Sequence, residues 1–140
     1  MKNMRAAIGH EKILVALTRN DYEPDVCFFS AAKARTFQPD QTVFPAPDFV
    51  AEVLSRSTEQ ADRGVKFEDY AAHGVGEYWI IDPDGERVEQ YLLEGETYQL
   101  ACKADNGVVA SRAVAGFAAP VQALFDEGEN LVVLGQVLVN

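Results

Sequence analysis

The run Phe49-Val50-Ala51-Glu52-Val53-Leu54 places one carboxylate in an otherwise apolar stretch, and it constrains the chain more than any other feature. With apolar residues at most positions, 48–54 reads as a strand buried in the middle of a sheet rather than at its edge. Strand side chains alternate, so Asp48, Val50, Glu52 and Leu54 share one face. A Glu in such a place is costly unless it pairs with a cation or binds a metal. The plain alternative is a Glu paired with an Arg or Lys, or facing water.

The flanking sequence supplies the rest of an α/β pattern. Residues 11–18 and 25–29 read as strands, separated by the turn-forming Asn20-Asp21-Tyr22-Glu23-Pro24. Residues 31–46, with Pro39 and Pro45, read as irregular. After the central strand, Ser57 as N-cap and Gln60 as its capping-box partner predict one main helix, running to about His73 and stopped by Gly74. Glu77–Asp82 is a fourth strand. Turn signals at Pro83-Asp84-Gly85, Glu94-Gly95-Glu96 and Asp105-Asn106-Gly107 then predict an antiparallel C-terminal meander over 87–93, 97–103 and 108–114. Pro120 opens a short helix carrying Val121, Leu124 and Phe125 on one face. Residues 130–139 are apolar and fit either helix or strand.

Composition bounds the class. At 140 residues and 48% hydrophobic, the chain is expected to form a single domain over 1–140. The start Met1-Lys2-Asn3-Met4-Arg5-Ala6 lacks the apolar stretch of a secretory signal, and no apolar run approaches the ~18 residues of a membrane span, so the expected location is cytoplasmic. Cys27 and Cys102 are too few for a zinc site and read as buried thiols. The net charge of −10 argues against broad capture of nucleic acid by Lys and Arg. Carboxylates holding Mg²⁺ escape that objection, because the metal then faces a phosphate.

There is no phosphate-cradling Gly-rich motif and no nucleophile elbow. The two histidines, His10 and His73, read as capping or surface residues. The chemistry therefore falls to acids. Three Pro-Asp pairs precede Glu52, at Asp25, Asp40 and Asp48. Asp48 is four residues away on the same strand, about 13 Å at ~3.3 Å per residue, too far for two short carboxylates to share a small ion. Asp40 sits in the irregular stretch. Asp25 opens another strand and can lie beside Glu52. On the helix, Asp62, Lys66 and Tyr70 recur at i, i+4 and share a face. Spacing alone favours a solvated Asp62–Lys66 ion pair; the functional alternative puts Lys66 at the sheet edge, pointing toward the carboxylates.

Two stretches, Pro47-Asp48-Phe49-Val50-Ala51-Glu52-Val53-Leu54-Ser55-Arg56-Ser57-Thr58 and Gly74-Val75-Gly76-Glu77-Tyr78-Trp79-Ile80-Ile81-Asp82-Pro83, with Asp62, Lys66 and Tyr70 between them, resemble the PD-(D/E)XK nuclease superfamily. Within it they resemble a bacterial restriction-endonuclease-like family often described only as a domain of unknown function. The resemblance spans 21–125. It implies a restriction-endonuclease-like α/β core with a mixed central sheet, one main helix after the third strand and the antiparallel meander. It also implies a site. Asp25, Glu52 and the Val53 carbonyl hold Mg²⁺ or Mn²⁺, and a Lys assists hydrolysis of DNA. The superfamily's acidic-x-Lys tripeptide here reads Glu52-Val53-Leu54, so the Lys is absent from the strand and the resemblance assigns its role to Lys66. From its place one turn earlier on the helix, Asp62 is expected to orient that Lys.

Only 24 residues precede Asp25, fewer than family members usually carry, so an abbreviated N-terminal part is expected. With that short part and the acidic charge, the alternative is an inactive or regulatory module that keeps the fold as an interaction scaffold. Tyr91, Leu93, Tyr98 and Leu100 on the meander are expected to leave apolar surface uncovered, and hence to support a homodimer.

Overall fold

Residues 26–30, 49–53 and 77–82 are apolar at nearly every position, and they become adjacent inner strands of one sheet. The computed structural model describes residues 4–7 and 13–125. In chain order these form β1 (Met4–Ala7), β2 (Leu14–Ala16), β3 (Asp21–Tyr22), β4 (Val26–Ser30), α1 (Ala31–Ala34), β5 (Val43–Phe44), β6 (Phe49–Val53), α2 (Glu59–Arg63), α3 (Val65–Ala72), β7 (Glu77–Asp82), β8 (Arg87–Glu94), β9 (Thr97–Ala104), β10 (Val108–Ala110), β11 (Ala118–Pro120) and a 3₁₀ turn, Val121–Phe125. His10, the first two residues of the expected 11–18 strand, and 130–139 lie outside the described residues.

The main sheet runs β1-β4-β6-β7-β8-β9. It is mixed: β6 and β7 are parallel, joined by the α2–α3 crossover, and the remaining neighbours are antiparallel. Both faces are covered, and alternation sorts the side chains between them. One face, with Val26, Phe28, Phe49, Ala51, Trp79 and Ile81, packs on Val109, Phe117, Val121 and Leu124 from the C-terminal ribbon and 3₁₀ turn. The other, with Cys27, Phe29, Val50, Leu54, Tyr78 and Ile80, packs on Tyr70, Ala71 and Phe67 of α3. Glu52 has the parity of Val50 and Leu54 and so points to the α3 side.

Several local expectations change. The main helix is two segments, because Gly64 breaks it with φ −111° and ψ −100°. A Cβ at Gly64 would sit 2.8 Å from the Gln60 carbonyl oxygen, so the break depends on glycine. The N-cap is Thr58, not Ser57, and no capping box forms: Thr58 Oγ1 instead accepts from the Ser55 N–H at 3.1 Å. The stretch 31–46 is not wholly irregular, for it contains α1 and β5, and β5 joins β2 and β3 in a small sheet. The third meander turn leads out of the main sheet: β10 pairs with β11. Cys27 is buried as expected, with burial and then Glu52 pushing its thiol up to about 12, but Cys102 is only half-buried.

The expected apolar patch is largely covered. Tyr98 is buried, and Tyr91 and Leu93 are partly buried against the α3-side core, with the Phe67 ring 4.9 Å from that of Tyr91 and 5.1 Å from that of Tyr98. Leu100 alone of the four is exposed, on β9 at the margin of the sheet. Of the surface from which a homodimer was expected, Tyr98 is withdrawn, Tyr91 and Leu93 are half-covered and Leu100 is exposed. Among the described residues no helix is long and apolar enough to cross a membrane.

Candidate active site

The pairing of β4 with β6 places Val26 opposite Ala51, so Asp25 stands opposite Glu52 at the end of the ladder. Asp25 precedes β4 with the parity of Cys27 and Phe29, and therefore faces α3 as Glu52 does. The two acids are joined reciprocally. The Asp25 N–H donates to Glu52 Oε1 at 3.0 Å, and Asp25 Oδ2 accepts from the Val53 N–H at 2.8 Å. Extended backbone sends the N–H and C=O of one residue to the same side of the strand, so the Val53 carbonyl is directed toward β4 as well.

Lys66 reaches this pair from α3. Its Nζ lies 3.6 Å from Glu52 Oε2 and 2.8 Å from Asp62 Oδ1. The side chain is 17% exposed, so the pair is not the solvated one that spacing alone suggested. Tyr70 donates its hydroxyl to Glu52 Oε2 at a long 3.5 Å, and the Tyr22 ring has its centroid 5.9 Å from Nζ. Leu54, where the superfamily places its Lys, is buried in the α3-side core and has no polar role.

Electrostatics single out Glu52. It is 2% exposed, and burial pushes its carboxyl up to about 8, against the opposing pull of Lys66 and the Asp25 N–H; Asp25 and Asp62 add to the rise. Burial works to lower the Lys66 pKa, but Glu52 first and Asp62 next outweigh it, and the ammonium is held above its ordinary value. Burial, then Glu52, raises the Tyr70 phenol, which stays a neutral donor.

Two other buried acids show what a purely structural carboxylate looks like here. Glu77 is 1% exposed and accepts from Ser111 Oγ, the Arg112 and Ala113 N–H groups, Trp79 Nε1 and Gln90 Nε2, all within 3.0 Å. Glu89 takes a two-pronged contact from Arg63 at 2.8 and 3.0 Å and the Tyr91 hydroxyl at 2.6 Å. Glu52, as deeply buried, has among the described residues one good hydrogen bond and two long contacts. Sequence reading passed over Glu77 and Glu89, although each is, like Glu52, a charge in an apolar strand.

The remaining candidates sit elsewhere. Asp48 closes the start of its strand, accepting from the Ser30 N–H at 2.6 Å and pairing with Lys33 at 3.3 Å, which also occupies that Lys. Asp40 is exposed in a turn. His73 caps α3, with Nδ1 2.8 Å from the Asp69 carbonyl oxygen and Nε2 accepting from the Thr18 N–H.

Among the described residues no three His, Cys, Asp or Glu side chains converge as a ready-made metal cluster. The donor set of two carboxylates and a carbonyl still suits Mg²⁺ or Mn²⁺. Mg²⁺ in particular binds oxygen, keeps several waters and commonly takes only one or two protein carboxylates beside substrate phosphates. Of Glu52, Glu77 and Glu89, Glu52 meets the fewest close hydrogen-bond donors among the described residues.

A mixed sheet with a parallel inner pair, a helical crossover and paired acids on adjacent inner segments defines a restriction-endonuclease-like fold. Residues 2–122 match the family Uma2, described as "Putative restriction endonuclease", and the chain belongs to that family. It is similar in structure to a "putative nuclease belonging to DUF820" from Anabaena variabilis, with a TM-score of 0.69 and 20% identity over 87% of this chain and 68% of that one; this likeness bears on the fold. No curated protein matches the chain.

Proposed function

We propose that the protein is a metal-dependent endonuclease that hydrolyses phosphodiester bonds in DNA, with Asp25, Glu52 and the Val53 carbonyl holding Mg²⁺ or Mn²⁺ and Lys66 as the catalytic cation. The observation that carries this reading is the contrast among the buried acids. Glu77 and Glu89 are saturated, while Glu52 is held beside Asp25 and Lys66 with its charge under-compensated. Membership of a restriction-endonuclease family supports it.

A divalent cation at the acidic pair supplies polarisation of the scissile phosphate and a lowered pKa for the attacking water. The chain's own groups do the rest. The Asp25 N–H fixes one oxygen of Glu52 and leaves Oε2 as the loosely held one. Lys66 brings a positive charge to the acids, where it can neutralise charge developing on phosphate oxygens or orient the water. Tyr70 keeps a hydroxyl donor on Glu52. The buried Tyr70 and Tyr78 rings exclude bulk solvent behind the acids, which strengthens every charge interaction in front of them.

The test is incubation of supercoiled plasmid and of single-stranded DNA with the protein and Mg²⁺ or Mn²⁺, beside Glu52→Ala. Cleavage that needs both the metal and Glu52 is the expected result. Absence of metal-dependent cleavage of either substrate refutes the endonuclease and favours the interaction module, the reading the net charge of −10 supports.

A further inference from the structure

We propose that Asp62 is the positioning residue of this site: its carboxylate, rather than that of Glu52, is the standing anchor of the Lys66 ammonium and keeps it at the acidic pair once a cation has taken up the charge of Glu52. The inference rests on the proposed site for its catalytic meaning, but its structural core does not.

Four observations carry it. Asp62 is 1% exposed, and among the described residues no hydrogen-bond donor meets its Oδ1 with good geometry; the Lys66 ammonium at 2.8 Å is that oxygen's ionic partner. A buried carboxylate so placed is a burden on folding unless that ion pair is kept. Lys66 stands nearer Asp62 than Glu52, 2.8 against 3.6 Å. Glu52 and Asp25 are bound to each other through the backbone of both strands, which holds Glu52 in place independently of Lys66.

The local fold is built to hold Asp62 still. Its carbonyl accepts the buried Tyr78 hydroxyl at 2.8 Å, and its N–H donates to the Thr58 carbonyl at 2.8 Å. The pair spans the break at Gly64, so the anchor is on α2 and the ammonium on α3. That division lets α2 carry the fixed charge while α3 presents Lys66 to the strands. A cation on Glu52 would compete with Lys66 for that carboxylate, and without a second acid the ammonium would leave. Asp62 supplies that acid.

Lysine ammonium signals from ¹⁵N-labelled, metal-free protein test the anchor directly, because exchange with water erases them unless the group is held. The Lys66 signal is identified by its loss in Lys66→Arg. It is expected to persist in Glu52→Gln and to vanish in Asp62→Asn, which keeps the side chain's shape. Loss in Glu52→Gln with retention in Asp62→Asn overturns the proposal. Should Asp62→Asn fail to fold, the Glu52→Gln arm decides alone. Neither arm uses metal or DNA, so the result stands apart from the endonuclease reading. In the cleavage assay Asp62→Asn should lower kcat about as far as Lys66→Ala with KM little changed, and the double variant should be no slower than Lys66→Ala. Additive losses, or loss of Mn²⁺ binding in Asp62→Asn, would make Asp62 something other than the anchor of Lys66.

Discussion

Replacing Glu52 by Gln should remove a pH dependence of stability whose size follows from the burial of that carboxyl. In the folded protein Glu52 titrates near 8, against 4.5 for the ordinary group. The rise of roughly three and a half pH units corresponds to a ceiling of about 5 kcal/mol, at about 1.4 kcal/mol per unit. The sign is set by which state holds the proton. Between pH 4.5 and 8 the folded chain keeps a proton that the unfolded chain has lost, so stability is fully present below 4.5 and is lost as the pH rises through 8. The pull of Lys66 on the ionised carboxylate is already contained in that value, and a change of up to about 5 kcal/mol is a large share of the ~5–15 kcal/mol that holds a domain together. Urea unfolding with a chelator at pH 5, 6.5 and 8 measures it, because the other titrating groups are common to both proteins and cancel in the difference. Wild type should lose stability relative to Glu52→Gln across that range, and Mg²⁺ should restore it at pH 8. Parallel pH profiles for the two proteins would refute the reasoning.

Other outcomes follow from the same geometry. Lys66→Ala should cut cleavage by orders of magnitude while leaving Mn²⁺ affinity within a few-fold, and Lys66→Arg should rescue poorly, since a planar guanidinium does not replace a compact ammonium; single-turnover kinetics decide it. Glu77→Gln turns an acceptor shared by at least two buried donors into a donor, and at ~1–3 kcal/mol for each group left unsatisfied it should cost about 2–6 kcal/mol in urea unfolding. If the expected homodimer forms by pairing of β9 strands around Leu100, Leu100→Lys should dissociate it, and sedimentation of wild type as a monomer at micromolar and higher concentrations ends that expectation.

The strands of the main sheet were legible where the pattern was strong. β4, β6 and β7 are continuous apolar runs, and β8 and β9 are bounded by turns with glycine at positive φ, Gly95 and Gly107. β2 falls within the strand expected over 11–18, whereas β3 and β5 are too short to show a period, and the β2–β5 pairing joins residues far apart in the chain. The break at Gly64 was missed because one glycine within a helical pattern costs only about 1 kcal/mol and reads as tolerated. β10 left the meander for a tertiary reason: Glu77 captures the Ser111 hydroxyl and the Arg112 and Ala113 N–H groups just after that strand. In the site, alternation placed Glu52 on the right face and distance set Asp48 aside. Sequence had no means of separating Glu52 from Glu77, because what separates them is the number of donors each one meets. Nor did spacing reveal that the Asp62–Lys66 pair is buried, since that depends on how α3 seats against β6 and β7.

Cation binding at Asp25 and Glu52 is the claim on which the account stands, and calorimetric titration of Mn²⁺ into the metal-free protein at pH 7, in two buffers of different ionisation enthalpy, tests it most directly. Metal ligands bind deprotonated, so a carboxyl that titrates near 8 must release its proton when the metal arrives. The predicted result is one-site binding with release of about one proton, abolished in Glu52→Gln. Equal binding by both proteins, or binding with no proton released, would contradict it.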